Sequence, residues 1–387
     1  MKKYQILLLT GVIASQLLTG CAVNLPKMQS EPVEIKIGVI TDAGDGQNLQ
    51  QIIEFAQNRN LTEEGQKQDY IFSAVYADAG NTAQSAEAAV QQLQEAGVSA
   101  VIALCDGRLA AYAAAAAEDE KLSVIVPKDT DGDAFQNLTN VFRLDGSEVL
   151  EAAAAAHYAY YDLGLTTAAV ISEESVEGSA RFASLFANAY SSYGGRLVIR
   201  EAVGANTTEL QEALTEENPQ LVGAFVSADT LASLKKSDGG DTYYLGMANA
   251  DSQSVLTLLG GSGENLFLPT CVDPENKKTA ELRAQFAAWL AEDASRTAAH
   301  ENGSYMGTEE LRTYDAWDLV MQAAVNGGSG DAEKVYAKLV GIDLEGVSGA
   351  LSFDANLETK QDTVYIVTGA EGEFTGSAEI TAADTIA

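Results

Sequence analysis

Two apolar runs in this chain end in residues that can hold or bind charge. Val101–Leu104 is followed by Cys105, Asp106, Gly107 and Arg108 at the mouth of an alanine-rich stretch. Leu122–Val126 is followed by Pro127, Lys128, Asp129 and Thr130. A helix that opens at Asp106 offers unpaired N–H groups and the positive end of its dipole, which suits a carboxylate or another anion. Arg108 could add a bidentate contact to such a group, or simply point into water. Asp106 suits a capping role equally well. Lys128 and Thr130 supply a donor and a hydroxyl, or form a solvated polar turn.

Other chemistries lack carriers. Asp129, Asp131 and Asp133 alternate as in a calcium loop, but Ala134 stands at the sixth position and Asn140 at the twelfth, so no metal site is expected. The two histidines, His157 and His300, lie in helix-like polar settings and suggest neither a zinc site nor a proton relay. No Gly-x-Ser-x-Gly, phosphate loop or GxGxxG element follows a strand. The chain is not read as an enzyme, and no cofactor is expected.

The elements that must position these residues alternate between strand and helix. IKIGVIT (35–41), YIFSAVYA (70–77), VSAVIAL (98–104) and LSVIVP (122–127) are strand-like, with helical stretches to about Asn58 and over Ala83 to Ala96. In the latter, Ala86, Val90, Leu93 and Ala96 recur at helical spacing and Gly97 is a stop signal. Strand runs that are apolar throughout indicate burial on both faces, as in a parallel sheet between helix layers. After Phe142-Arg143-Leu144-Asp145 the pattern restarts. TTAAVIS (166–172), a helix over Glu177 to Tyr193, RLVIREAV, a helix over Thr208 to Glu216, LVGAFVS, TYYLGM and NLFLPTCV predict a second parallel sheet. Residues 274–339 are mostly helical, and the stretch from Gly346 to Gly369 reads as strand, turn and strand. The expected fold class is α/β, two doubly wound parallel-sheet lobes.

At 387 residues the chain exceeds the size of a single core, and six prolines with 46% apolar residues mark a folded protein. Its balance, 23 Lys and Arg against 56 Asp and Glu, is a net charge of −33. Such a charge repels nucleic acid and anionic lipid surfaces. The first residues differ from the body: Lys2 and Lys3 precede an apolar run from Ile6 to Leu18, then Leu18-Thr19-Gly20-Cys21. That is a secretory signal, too short for a confident membrane span. The four residues resemble a bacterial lipobox, which implies removal of residues 1–20, lipid on Cys21 and a tether over 21–32. Cys105 and Cys271 could pair in an exported protein. Two unpaired thiols are the expectation.

The stretches IKIGVIT, SAEAAVQQLQEAGVSAVIALCDG, IVPKDT, NVFRLD, AAVISEESVEGSARF, YSSYGGRLVIREAV, TYDAWDLVMQAAV and GVSGALSFDANLE, in this order, resemble the type I periplasmic binding proteins of the leucine/isoleucine/valine group. The resemblance covers about 350 residues. It implies two α/β lobes joined by three crossovers, near Asp145, 270–273 and 346–350. Lobe one would be 33–146 plus 274–346, and lobe two 147–273 plus 347–387. It also implies a solute trapped by hinge closure and passed to an ABC permease, with the protein working as a monomer.

The ligand contacts that the resemblance implies fall on altered residues. The serine that grips the amino acid's carboxylate falls on Asp106, and the next-strand threonine on Thr130. A second-lobe tyrosine falls on Ser175, another aromatic on Ser227, and the acid for the α-ammonium near Ala248, with Asn249 and Asp251 beside it. The first loop carries Asp42 and Asp45. A solute carboxylate about 4 Å from Asp106 would meet roughly 4 kcal/mol of repulsion at an effective dielectric of 20 unless Arg108 or Lys128 neutralises it. Losing the acid for the ammonium removes another ~1.5–3 kcal/mol. The expectation is therefore a small polar solute, amino-acid-like or amine-like, with cationic character towards Asp42, Asp106 and Asp251. A sensing receptor component of the same fold, signalling to a membrane partner, is the alternative.

Overall fold

The computed structural model describes residues 32–42, 46–62, 70–128, 132–203, 208–238, 240–247, 253–261, 263–299, 305–370 and 373–386. The first lobe is built from β1 (Val33–Thr41), α1 (Gly46–Thr62), β2 (Tyr70–Asp78), α2 (Ala83–Glu95), β3 (Val101–Leu104), α3 (Gly107–Ala117), β4 (Val124–Val126) and β5 (Val141–Arg143). Its sheet has the order β2-β1-β3-β4-β5 with every pairing parallel. β3 and β4 are buried at every position, as their unbroken apolar sequences require. Thr82 and Ser85 form a capping box at the start of α2, and Gly97, at φ +73, turns the chain back towards β3.

The second lobe continues with α4 (Glu148–His157), β6 (Thr167–Glu173), α5 (Ser179–Ser192), β7 (Arg196–Val203), α6 (Thr208–Glu217), β8 (Leu221–Phe225), α7 (Ala228–Ser237), β9 (Tyr243–Leu245), α8 (Gln253–Leu258) and β10 (Leu266–Thr270). The chain then forms α9 (Lys277–Ala291), α10 (Ala294–Ala299), α11 (Thr308–Gly327) and α12 (Ala332–Leu339). The hairpin β11 (Asp343–Glu345) and β12 (Ala350–Ser352) follows, then β13 (Thr363–Ala370) and β14 (Glu373–Thr381).

The second sheet runs β14-β13-β10-β9-β8-β6-β7. Its parallel part, β7-β6-β8-β9-β10, repeats the order of the first sheet. β13 and β14 extend it antiparallel, beyond the parallel strands that the sequence predicted. Each sheet is covered on both faces. α1, α9 and α11 bury Phe55, Phe286 and Trp317 against one face of the first, and α2 with the alanines of α3 covers the other. α4 and α5 cover one face of the second sheet, and α6, α7 and α8 the other.

Two of the boundaries that differ from the sequence reading bear on the site and the hinge. α5 starts at Ser179, not Glu177, because Gly178 at φ +74 turns the chain into the helix and leaves Glu177 in the preceding loop. The third crossing also comes later than 346–350. Leu351, Phe353 and Leu357 bury in the first core, and Phe353 meets Phe142 edge-on at 5.0 Å. Leu357 and Thr359 hydrogen-bond to Arg143 at the edge of the first sheet, so the chain leaves that lobe only after Thr359.

The crossings are tied together by α11. Arg312, fully buried, donates to Asp145 O (2.9 Å) and lies against Cys271 Sγ (2.7 Å), the first and second crossings. It also stands 3.7 Å from the buried Glu151 of α4. One turn on, Asp315 accepts from the N–H of Val347 (2.9 Å) and of Ser348 (2.7 Å) and from Ser348 Oγ (2.5 Å). Burial pushes the Asp315 carboxyl up to about 6 despite those three donors.

Candidate functional site

In an open α/β sheet, ligands bind beyond the carboxyl ends of the strands where the strand order reverses. Here those points lie between β1 and β3 in the first lobe and between β6 and β8 in the second. The same device sits at both. Asp42, just past β1, accepts the N–H of Asp106, the cap of α3 (2.9 Å). Glu173, the last residue of β6, accepts the N–H of Ser227, the cap of α7 (2.9 Å).

At the first point Asp106 does what its residue type favours. Its Oδ1 accepts the N–H of Arg108 at 2.9 Å, closing the helix start. Arg108 itself is 80% exposed and reaches back to Asp106 only at 3.5 Å, so it lies at the rim and not within the cleft. Behind the site, Cys105 is fully buried. Burial raises its thiol well above the usual range; the carboxylates of Asp42, Asp106 and Glu177 raise it further, and Lys128 opposes them. It is therefore a space-filling thiol, not a nucleophile. Neither Cys105 nor Cys271 forms a disulfide. Lys128, two residues past β4, is thus one of the charges around Cys105. Thr130 lies outside the described residues, as do Asp129, Asp131 and Asp45.

At the second point Ser175 and Ser227 come together through an acid that the sequence reading did not single out. Glu173 Oε2 accepts from Ser227 Oγ at 3.0 Å as well as from its N–H, and Glu173 Oε1 accepts from Ser175 Oγ at 2.9 Å. Partial burial works against ionisation, but these bonds outweigh it and hold the Glu173 carboxyl below its ordinary range. Ala248, Asn249 and Asp251 lie outside the described residues, as does Cys21.

Among the described residues, contacts from α3 and from Asp133 reach the second lobe across the gap. Glu177 Oε2, in the loop before α5, accepts the N–H of Gly107 in the first turn of α3 at 3.3 Å. Arg181 of α5 pairs with Asp133 of the first lobe at 2.9 Å while its Nε holds Glu148 of α4 at 2.7 Å. Neither Glu177 nor Arg181 was anticipated. Both follow the strand-end acid Glu173 in SEESVEGSAR, where a run of acids and serines reads as an ordinary solvated loop. At the hinge, a cavity of about 230 Å³ is bounded by Gly146, Cys271, Ser348 and Thr359–Thr363. Among the described residues no group of three or more His, Cys, Asp and Glu could hold a metal ion.

Comparison with known proteins bears on the fold and the family. No curated protein matches the chain. A leucine-binding protein from Thermotoga maritima is 19% identical, with 90% of this chain and 99% of that one covered and a TM-score of 0.73. The branched-chain amino acid transporter substrate-binding protein of Streptococcus pneumoniae, solved with isoleucine, is also 19% identical, covers 90% and 100%, and has a TM-score of 0.73. A solute-binding protein of an ABC transporter from Rhodopseudomonas palustris, solved with 3,4-dihydroxybenzoic acid, is 17% identical, covers 90% and 98%, and has a TM-score of 0.74. At these identities the structures establish the fold alone. The pattern of the family described as periplasmic binding protein matches residues 59–373, most of the chain, and the protein belongs to that family.

Proposed function

We propose that this protein is the extracytoplasmic, lipid-anchored solute-binding component of an ABC importer, and that it captures a small polar solute between its lobes by hinge closure. The observation that carries the reading is the bridge from Gly107 to Glu177: the two strand-order reversals face each other closely enough for one hydrogen bond to join them. A solute between them would touch both lobes only in the closed form, so it would shift the open–closed population by its differential affinity. Isoleucine and 3,4-dihydroxybenzoic acid, carried by the similar structures, belong to the size class envisaged.

The lobes in this reading are 33–146 with 274–359, and 147–273 with 360–387. Asp42, Asp106, Lys128 and Thr130 would meet the solute from the first lobe, and Asn249 from the second. Ser175 and Ser227 act through Glu173, whose charge they hold in place. Arg108 serves the rim. Cys21, after Leu18-Thr19-Gly20, carries the lipid, and residues 21–32 let the lobes reach the permease. A thermal-shift screen of amino acids, amines, amides and short peptides tests the reading. At least one class should raise the melting temperature by several degrees; uniform indifference across the panel would contradict solute capture.

A further inference from the structure

We infer that Glu177 is a specificity-determining residue, a built-in carboxylate that excludes the carboxylate of a solute and tunes the cleft for solutes carrying an amino or other cationic group. The inference rests on the solute-capture reading above and names the solute class for the same site.

The start of α3 is the natural anion position of the first lobe, because its first N–H groups have no partner within the helix. Three successive amides there are already served by acids of the chain. Asp42 takes the N–H of Asp106, Glu177 that of Gly107 and Asp106 that of Arg108, at 2.9, 3.3 and 2.9 Å. Asp42 and Asp106 come from the lobe that owns the helix and persist however the hinge stands. Glu177 comes from the opposite lobe, so its bond forms only on closure, when a captured solute would also make its contacts. It therefore competes directly with a solute carboxylate for the same donor.

The surroundings reinforce the exclusion. Asp42, Asp106 and Glu177 all lie near Cys105, with Lys128 as the opposing charge there. Arg108 is turned out to solvent. In the second lobe the corresponding amide, Ser227 N–H, is held by Glu173. A second carboxylate entering from the solute would have to displace an internal one and then sit beside the acids that remain. A solute ammonium meets the opposite situation, since the acids that fill the anion positions become its partners.

The test compares L-leucine with 3-methylbutylamine, which has the same side chain and amine but no carboxylate, by isothermal titration of the wild-type protein and its Glu177→Ala and Glu177→Gln variants. Glu177 lies in a half-buried loop, so both variants should fold. Wild type should prefer the amine. Glu177→Ala, which vacates the amide, should move the affinity ratio at least tenfold towards leucine, and amide exchange at Gly107 should accelerate. Glu177→Gln, which keeps an acceptor but loses the charge, should fall between. Tighter binding of leucine than of the amine by wild type, or an unchanged ratio in Glu177→Ala, overturns the inference and leaves solute capture standing. Absence of binding of leucine, the amine and 3,4-dihydroxybenzoate by wild type and both variants overturns the inference, and solute capture falls with it only if the whole thermal-shift panel is also without effect.

Discussion

The two strand-order reversals make the same contact with different chemistry. In each, an acid at the end of the strand next to the sheet edge accepts the cap N–H of the helix after the neighbouring inner strand: Asp42 with Asp106, Glu173 with Ser227. The repeat of β-strand order in the two sheets makes that contact recur, since it puts the same two strand ends side by side twice. The cap residues set the difference. Ser227 is neutral and donates its hydroxyl to Glu173, as does Ser175, so the second-lobe acid is locally satisfied. Asp106 is itself an acid and adds charge beside Asp42, and a third carboxylate, Glu177, arrives from across the gap. One fold repeat thus yields a quiet face and a charged face. Solute choice should be decided at the charged one.

The largest effect is expected where the two faces are held in register. Arg312→Met should cost about 3–5 kcal/mol, as measured by chemical denaturation, because it removes the cation beside buried Glu151 and cuts the ties to Asp145 and Cys271. A cost below 1 kcal/mol would mean that the faces are aligned without α11.

Next comes the pH dependence of the same helix. Asp315 binds its proton more tightly folded, near pH 6, than unfolded, near 3.8. Its contribution is therefore fully present below about pH 3.8 and is lost as the pH rises through about 6, by ~3 kcal/mol. Denaturation of Asp315→Asn across pH 4 to 7 should show that slope removed relative to wild type. An unchanged slope would place the titration elsewhere.

The two faces can then be compared directly. Glu173→Ala should cost ~1.5–3 kcal/mol, the range for hydrogen bonds to a charged group, and more than Asp42→Ala. Because the Glu173 carboxyl is held below its ordinary range, its stabilisation is present above the ordinary carboxyl pKa and is lost as pH falls. Calorimetric melts of both variants at neutral and acidic pH check this, and equal costs at the two sites would erase the distinction drawn here. The smallest effect is the cap alone. Asp106→Asn should change stability by less than ~1 kcal/mol, since Asn caps nearly as well, while altering solute affinity through the lost charge.

Much of the fold was legible because strands buried on both faces write continuous apolar runs, as in VIAL and LVGAF. β14 was not, because EFTGSAEIT is mostly exposed and built of small and polar residues. The third crossing was misplaced because Leu351, Phe353 and Leu357 carry no mark of which core they enter. At the site, Asp106 was readable as a cap from its position before an alanine run. Glu173 and Glu177 were not, since their roles depend on strand ends brought together by sheet order, which the local sequence does not encode. Gly178 was the usable clue: a glycine at a helix start, leaving the preceding acid in the loop.

Small-angle scattering tests the central claim most directly, on the purified protein freed of any carried solute and then titrated with one that raises its melting temperature. The account predicts a fall in the radius of gyration that saturates with binding, as the charged face of the first lobe and the satisfied face of the second close together. Tight binding with no change in radius would contradict it.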